Sequence, residues 1–60
     1  MKPITKETEK AIFHFEHYTK DISEKIQNKE YSLAETFLVG LLRSIADLIF
    51  RLEYEQTRNE

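Results

Sequence analysis

The most apolar stretch of the chain is residues 33–52, LAETFLVGLLRSIADLIFRL. Its apolar residues recur every three or four positions, which is the spacing of one face of an α-helix. Six of them alternate strictly between intervals of four and three: Ala34, Leu38, Leu41, Ile45, Leu48 and Leu52. Leu42 and Ile49 widen this stripe on one side, and Phe37 widens it on the other. The stretch predicts a helix whose apolar arc is broader than one partner helix can cover.

The beginning of this helix, helix 2, is marked by a capping signal. Ser32 and Glu35 have the spacing of a capping box, in which each side chain accepts a hydrogen bond from the other residue's backbone N–H. We predict helix 2 over residues 32–55 and expect the polar tail 56–60 to fray. On its polar side, Arg43, Asp47 and Arg51 have the i, i+4, i+8 spacing of an ion-pair ladder.

A second, narrower amphipathic pattern precedes helix 2. Thr5 is the expected N-cap of helix 1, predicted over residues 5–27. Residues 28–31 are the predicted turn, with Asn28 as a left-handed cap. So short a turn makes two long helices antiparallel neighbours. The fold class is therefore all-α, an antiparallel two-helix hairpin in a single domain, residues 1–60. Its helix 1 stripe consists of Ile4, Ala11, Phe15, Tyr18, Ile22 and Ile26.

The unequal width of the two apolar faces predicts association. Helix 1 cannot shield both flanks of helix 2, and each large side chain left in water forgoes about 1.5–3 kcal/mol. Two hairpins packed as a four-helix bundle bury both flanks, so we expect a homodimer. A different protein covering the same face, with this chain as a structural subunit of a hetero-complex, is the alternative. The predicted core and dimer residues are Phe15, Tyr18, Ile22, Leu38, Leu41, Leu42, Ile45, Leu48, Ile49 and Leu52.

Gly40 is the only glycine of the chain and falls inside predicted helix 2. A glycine in a helix interior costs about 0.5–1 kcal/mol relative to alanine. With Ser44 one turn later it forms a small-residue patch that lets another backbone approach closely. The alternative is an exposed glycine that the helix tolerates.

Composition excludes several classes of function. The chain has 60 residues, a formal net charge of −2 and no cysteine, so it has neither disulfides nor thiolate metal sites. A dedicated nucleic-acid binder usually carries net positive charge. The sequence contains no phosphate-binding loop and no nucleophile beside a base, so we expect neither an enzyme nor a cofactor.

A membrane location is also disfavoured by the sequence. The apolar stretch contains Arg43 and Asp47 near its middle, each costing about 2.5–3.5 kcal/mol at the centre of a bilayer. No apolar segment follows Met1 and Lys2, so we expect no signal peptide and a cytoplasmic protein.

Two surfaces outside the apolar stripes are candidate partner contacts. Aromatic side chains are enriched in interfaces, and charged neighbours form their rims. On helix 1 the candidates are Phe13, His17 and Lys20, and on helix 2 they are Val39, Arg43 and Phe50. His14 and His17 have the i, i+3 spacing that can share a metal, but a zinc site needs three or four protein ligands. We therefore expect two solvated histidines and no metal.

These observations predict a non-enzymatic interaction protein that binds and regulates or scaffolds a larger protein, a form common among small bacterial and phage regulators. The size and two-helix plan also resemble the Rop family of RNA-binding hairpins, which dimerise into four-helix bundles. That resemblance implies RNA as the alternative partner. The residues that would occupy the RNA-binding face are Lys6, Lys10, Phe13, His17 and Lys20. It is a resemblance of shape without a shared motif, and it assigns the chain to no family.

Overall fold

Two packed antiparallel helices make up the computed structural model, which describes residues 2–59. Helix α1 spans Lys6–Gln27 and helix α2 spans Tyr31–Arg58. The hairpin is long and thin, measuring 46 × 15 × 12 Å. The predicted all-α hairpin is confirmed.

Helix α1 begins as its sequence predicts. Thr5 has extended backbone angles, and its hydroxyl accepts a hydrogen bond of 3.3 Å from the backbone N–H of Thr8. Glu7 and Glu9 lie in the first turn, where negative charge is favoured by the helix dipole.

The turn differs from its prediction in which residue reverses the chain. Lys29, not Asn28, has the left-handed conformation, with φ of 62°. The backbone N–H of Glu30 donates to the Lys25 carbonyl at 2.8 Å, and that of Lys29 donates to the Ile26 carbonyl at 3.0 Å. These two bonds form a Schellman motif. Carbonyl groups in the last turn of α1 thus accept the two hydrogen bonds that end the helix. An ion pair between Lys25 Nζ and Glu30 Oε2, 3.5 Å apart, also spans the motif.

The capping box predicted at Ser32 is wrong. Helix α2 begins at Tyr31, and its N-cap is Glu30, which makes no side-chain capping bond. The Schellman motif ends at Glu30, so the next residue is already helical and Ser32 lies inside the first turn. Helix α2 also continues to Arg58, whereas the sequence predicted fraying from residue 56.

The helices touch along a row of α2 that is smaller and more polar than predicted. We call the facing residues the contact rows. In α1 the row is Thr8, Ala11, Phe15, Tyr18, Ile22 and Lys25; in α2 it is Ala34, Phe37, Leu41, Ser44, Leu48, Arg51 and Glu55. Of the predicted core residues, Phe15, Tyr18, Ile22, Leu41 and Leu48 belong to these rows. The other five, Leu38, Leu42, Ile45, Ile49 and Leu52, do not, because α1 is too narrow to cover the whole apolar arc of α2.

Gly40 makes room for an aromatic ring of the same chain. A Cβ atom at this position would lie 2.7 Å from Cε1 and 2.8 Å from Cζ of Tyr18. Such distances are too short for packed carbon atoms. The outer end of the Tyr18 ring therefore occupies the space beside Gly40 that a side chain would otherwise fill.

A buried carboxylate joins the two free ends of the hairpin. Glu55 is only 7% exposed, and its Oε2 accepts hydrogen bonds from the Thr8 hydroxyl at 2.6 Å, the Thr5 hydroxyl at 2.9 Å and the Thr5 backbone N–H at 3.1 Å. Its Oε1 accepts from Nη1 of Arg58 at 2.6 Å. We call these four residues the Glu55 cluster. It places a negative charge at the N-terminus of α1, where the helix dipole favours it.

The cluster stabilises the ionised form of the carboxyl group. The hydrogen bond from the Thr8 hydroxyl, followed by that from the Thr5 backbone, lowers the pKa of Glu55 from 4.5 to about 2, although burial acts in the opposite direction. A pKa below the ordinary value means that the folded state holds the proton less tightly than the unfolded chain. This contribution to stability is complete above pH 4.5 and is lost as the pH falls toward 2.

We expect Glu55→Gln to lower the thermal midpoint at neutral pH and to flatten its decline between pH 4.5 and 2. The amide keeps the size of the side chain but cannot accept all the donors of the cluster. Thermal unfolding followed by circular dichroism across this range measures both effects. Glu53→Gln, at an exposed carboxylate of the same helix, is the matched control. An unchanged pH dependence in Glu55→Gln would contradict the assignment.

We expect Gly40→Ala to destabilise the hairpin by about 1 kcal/mol, because displacing the Tyr18 ring outweighs the better helix propensity of alanine. In a Tyr18→Ala background the same substitution should instead stabilise, by about 0.5–1 kcal/mol. A double-mutant cycle from urea unfolding measures this coupling. Equal effects of Gly40→Ala in the two backgrounds would rule out the proposed contact.

Candidate interaction surfaces

One continuous row of large apolar side chains on α2 remains in water. We call it the apolar stripe; its members are between 36% and 67% exposed, and they are Leu38, Leu42, Ile45, Ile49 and Leu52. The buried apolar residues, by contrast, are Ala11, Ile22 and Ala34. The hairpin therefore exposes more large apolar side chains than it buries, which is unusual for a stable monomer of this size.

The apolar stripe is the contact row displaced by one residue. Each of its members directly follows a contact residue in the chain, as Leu38 follows Phe37 and Leu42 follows Leu41. One residue corresponds to a rotation of about 100° around an α-helix. Helix α2 thus has two rows at nearly a right angle, which is the relation between the two neighbours of a helix in a four-helix bundle.

The opposite side of the hairpin is an open polar groove of about 470 Å³. Residues that directly precede contact residues line it, and they come from both helices: His14 from α1, Gly40 and Asp47 from α2. Because the preceding residues of both helices lie on the groove side, the residues that directly follow contact residues lie together on the opposite side of the hairpin, in both helices. The apolar stripe is accordingly flanked on α1 by Ile12, Thr19 and Ile26, alternating with Glu9, Glu16 and Ser23.

The candidate residues Phe13, His17 and Lys20 form one exposed patch, which we call the α1 surface. Phe13 is 64% exposed, and its ring stacks on that of His17 with centroids 6.0 Å apart and an angle of 12° between the planes. Nε2 of His17 lies 3.4 Å from a carboxylate oxygen of Asp21. Glu16 borders the same patch, so its charges are mixed.

The candidate residues Val39, Arg43 and Phe50, the α2 surface, are also exposed but are less closely grouped. Val39 and Arg43 line the groove, whereas Phe50, 63% exposed, lies beyond it beneath the guanidinium of Arg51 at 5.7 Å. The predicted ladder is present only in part. Arg51 Nε lies 3.9 Å from Asp47, and within residues 2–59 Arg43 forms no ion pair with Asp47.

The two histidines of α1 have no metal-site neighbours in the described part of the chain. Over residues 2–59, no three side chains of His, Asp or Glu come together as metal ligands. Across the same residues, neither helix has a segment long and apolar enough to cross a bilayer.

Glu55 is absent from the residues predicted above, although the sequence contains a signal for it. Ala34, Leu41, Leu48 and Glu55 recur every seven residues, so they lie on one face of α2. Continuing that series from the apolar residues places a carboxylate on the hairpin face near the N-terminus of helix 1. Threonines at positions 5 and 8 were available there as donors.

The chain matches no protein-family model, no curated protein and no solved structure.

Proposed function

We propose that this protein is a non-enzymatic protein–protein interaction module that acts as a homodimer. In this proposal, a second copy covers the apolar stripe, and the outer surfaces of the dimer bind a larger protein that it regulates or scaffolds. The exposure of the apolar stripe is the observation that carries the proposal.

The energetics of the hairpin favour association. Its contact rows bury few large apolar groups and include the polar residues Ser44, Arg51 and Glu55. The Ser44 hydroxyl and the Arg51 Nε are buried without a hydrogen-bond partner among the described residues. Covering the five side chains of the apolar stripe would contribute about 1.5–3 kcal/mol for each one fully buried.

A second copy suits this face in size and in pattern. The broad side of the hairpin spans 46 × 15 Å along its backbone, and its side chains extend this outline, so the face is large enough for a standard interface, in which each partner buries roughly 800 Å² of accessible surface. The members of the apolar stripe alternate at intervals of four and three, the repeat that lets identical helices interlock. A two-fold axis allows the same stripe to serve both copies.

The outer surfaces support a role in binding a further protein. Phe13 and Phe50 are large aromatic side chains that lie outside the apolar stripe, each bordered by charged residues. Exposed aromatics with charged rims are typical of protein contact sites. RNA is the second candidate partner, and the observation that favours it is the stacked Phe13–His17 pair beside Lys20, since exposed aromatic rings stack on bases.

We expect Leu42→Glu to convert the dimer into a monomer. Leu42 is 67% exposed in the hairpin, so the substitution removes no major contact within one chain. Because two copies of Leu42 leave the interface, the dimer dissociation constant should rise by at least about 100-fold. Sedimentation equilibrium measures this change, and circular dichroism checks that the helices remain.

Phe50→Glu is the matched control for Leu42→Glu. Phe50 has nearly the same exposure on the same helix but lies outside the apolar stripe, so this variant should remain a dimer. A wild-type chain that stays a folded monomer at high concentration would refute the proposal. Equal effects of the two substitutions would refute the assignment of the interface to the apolar stripe.

We expect Phe13→Glu or Phe50→Glu to abolish capture of a specific host protein by the immobilised dimer while leaving its dimeric state intact. If RNA is the partner instead, retention should fall steeply between about 50 and 200 mM salt. Lys10→Ala combined with Phe13→Ala should then remove it. A protein contact that buries apolar side chains should respond little to the same salt range. Capture that neither Phe variant alters would show that these surfaces are not the contact.

A further inference from the structure

We infer that the two copies pack with the α2 helices against each other, antiparallel, around a two-fold axis that passes near Ile45 and is perpendicular to the helices. This inference rests on the proposed homodimer and specifies its geometry. Two symmetric arrangements bring the apolar sides of two hairpins face to face. In the first, α2 packs on α2 and α1 on α1. In the second, the axis is parallel to the helices, and α2 of each copy packs on α1 of the other.

The register of the hairpin determines what the second arrangement would bury. Gly40 lies against Tyr18, so residues of α1 and α2 whose numbers add up to about 58 lie at the same height. A two-fold rotation about an axis parallel to the helices leaves the position of each residue along that axis unchanged. Leu42 would then meet Glu16 of the second copy, and Ile49 would meet Glu9.

Those two glutamates lie on the face that such a contact would bury. Each directly follows a contact residue of α1, Thr8 in one case and Phe15 in the other, just as the members of the apolar stripe do on α2. Burial of a carboxylate against a leucine or isoleucine side chain is costly without a compensating partner. The second arrangement is disfavoured for this reason, because it sets both glutamates against the apolar stripe. In the first arrangement the same glutamates lie between the two α1 helices, where Glu9 comes near Glu16 of the second copy, so the α1 helices must stand far enough apart for water to reach these carboxylates.

The first arrangement pairs the apolar stripe with itself. An antiparallel α2–α2 contact centred on Ile45 places Leu42 against Ile49 of the second copy, and Leu38 against Leu52. Beyond the apolar stripe, the next residues of the same row are Glu35 and Gln56. They also come opposite each other, so that the amide can donate to the carboxylate. Every position of the row thus meets a compatible residue.

This arrangement also sorts the outer surfaces of the dimer. Both α1 helices form one side of the bundle and both α2 helices form the other. Phe13 and Lys20 point away from α2, and Phe50 points away from α1, because each lies on the far side of its helix from the contact rows. The dimer therefore presents two α1 surfaces on one side and two α2 surfaces on the other. A partner of either side meets a two-fold symmetric site.

Cysteine cross-linking tests the geometry directly, because the chain has no native cysteine. Ile45→Cys should form a disulfide-linked dimer under mild oxidation, since its two copies meet at the axis within the short Cα separation that a disulfide requires. An equimolar mixture of Leu42→Cys and Ile49→Cys should cross-link mainly between unlike chains. Phe50→Cys, exposed but off the apolar stripe, is the control and should stay uncross-linked under the same conditions.

The outcomes separate this inference from the proposed function. If sedimentation shows a dimer but Leu42→Cys cross-links to Glu16→Cys rather than to Ile49→Cys, the antiparallel α2 pairing is overturned while the homodimer stands. If the wild-type chain is a monomer, both fail. Efficient cross-linking of Ile45→Cys, together with the Leu42→Cys and Ile49→Cys pair, supports both.

Discussion

Helix α2 has two rows about 100° apart, one of mixed polarity and one entirely of large aliphatic residues, and one partner helix can cover only one of them. This constraint governs the rest of the structure. Helix α1 takes the row that contains the small residues Ala34 and Ser44, where the two backbones can approach. The row of large aliphatic residues remains outside. The hairpin therefore leaves its largest aliphatic row in water, and it is this row that the proposed second copy would cover.

The contact within the hairpin depends on specific fits and less on apolar area. Gly40 leaves space for the Tyr18 ring, because a Cβ atom at position 40 would lie less than 3 Å from the ring atoms. At the free ends, Glu55 accepts four hydrogen bonds from Thr5, Thr8 and Arg58. Buried polar networks of this kind fix one register, because a shift of the helices leaves a carboxylate without donors. The two fits together set the rotation of α2, and that rotation determines which row faces outward.

The residues proposed to bind a partner are separate from the apolar stripe. Phe13 and Phe50 are exposed and face away from the partner helix of the hairpin. Arg43 and Asp47 line the polar groove between the helices. None of these positions belongs to the apolar stripe. A surface that binds a further molecule can therefore change without altering the proposed dimer contact.

The sequence by itself determined the two helices, their antiparallel order, the cap at Thr5 and the excess of apolar surface on α2, because periodicity and capping are local properties of the chain. It did not determine which row of α2 faces α1. Leu38, Ile45 and Leu52 form the more regular apolar repeat, yet Phe37, Ser44 and Arg51 make the contact. Only the tertiary structure decided this, since the choice depends on the Tyr18–Gly40 fit and on the bonds of Glu55 to residues about fifty positions away. The structure also places the reversal at Lys29 and not at the predicted Asn28, although the Schellman bonds that hold it join residues only three and five positions apart.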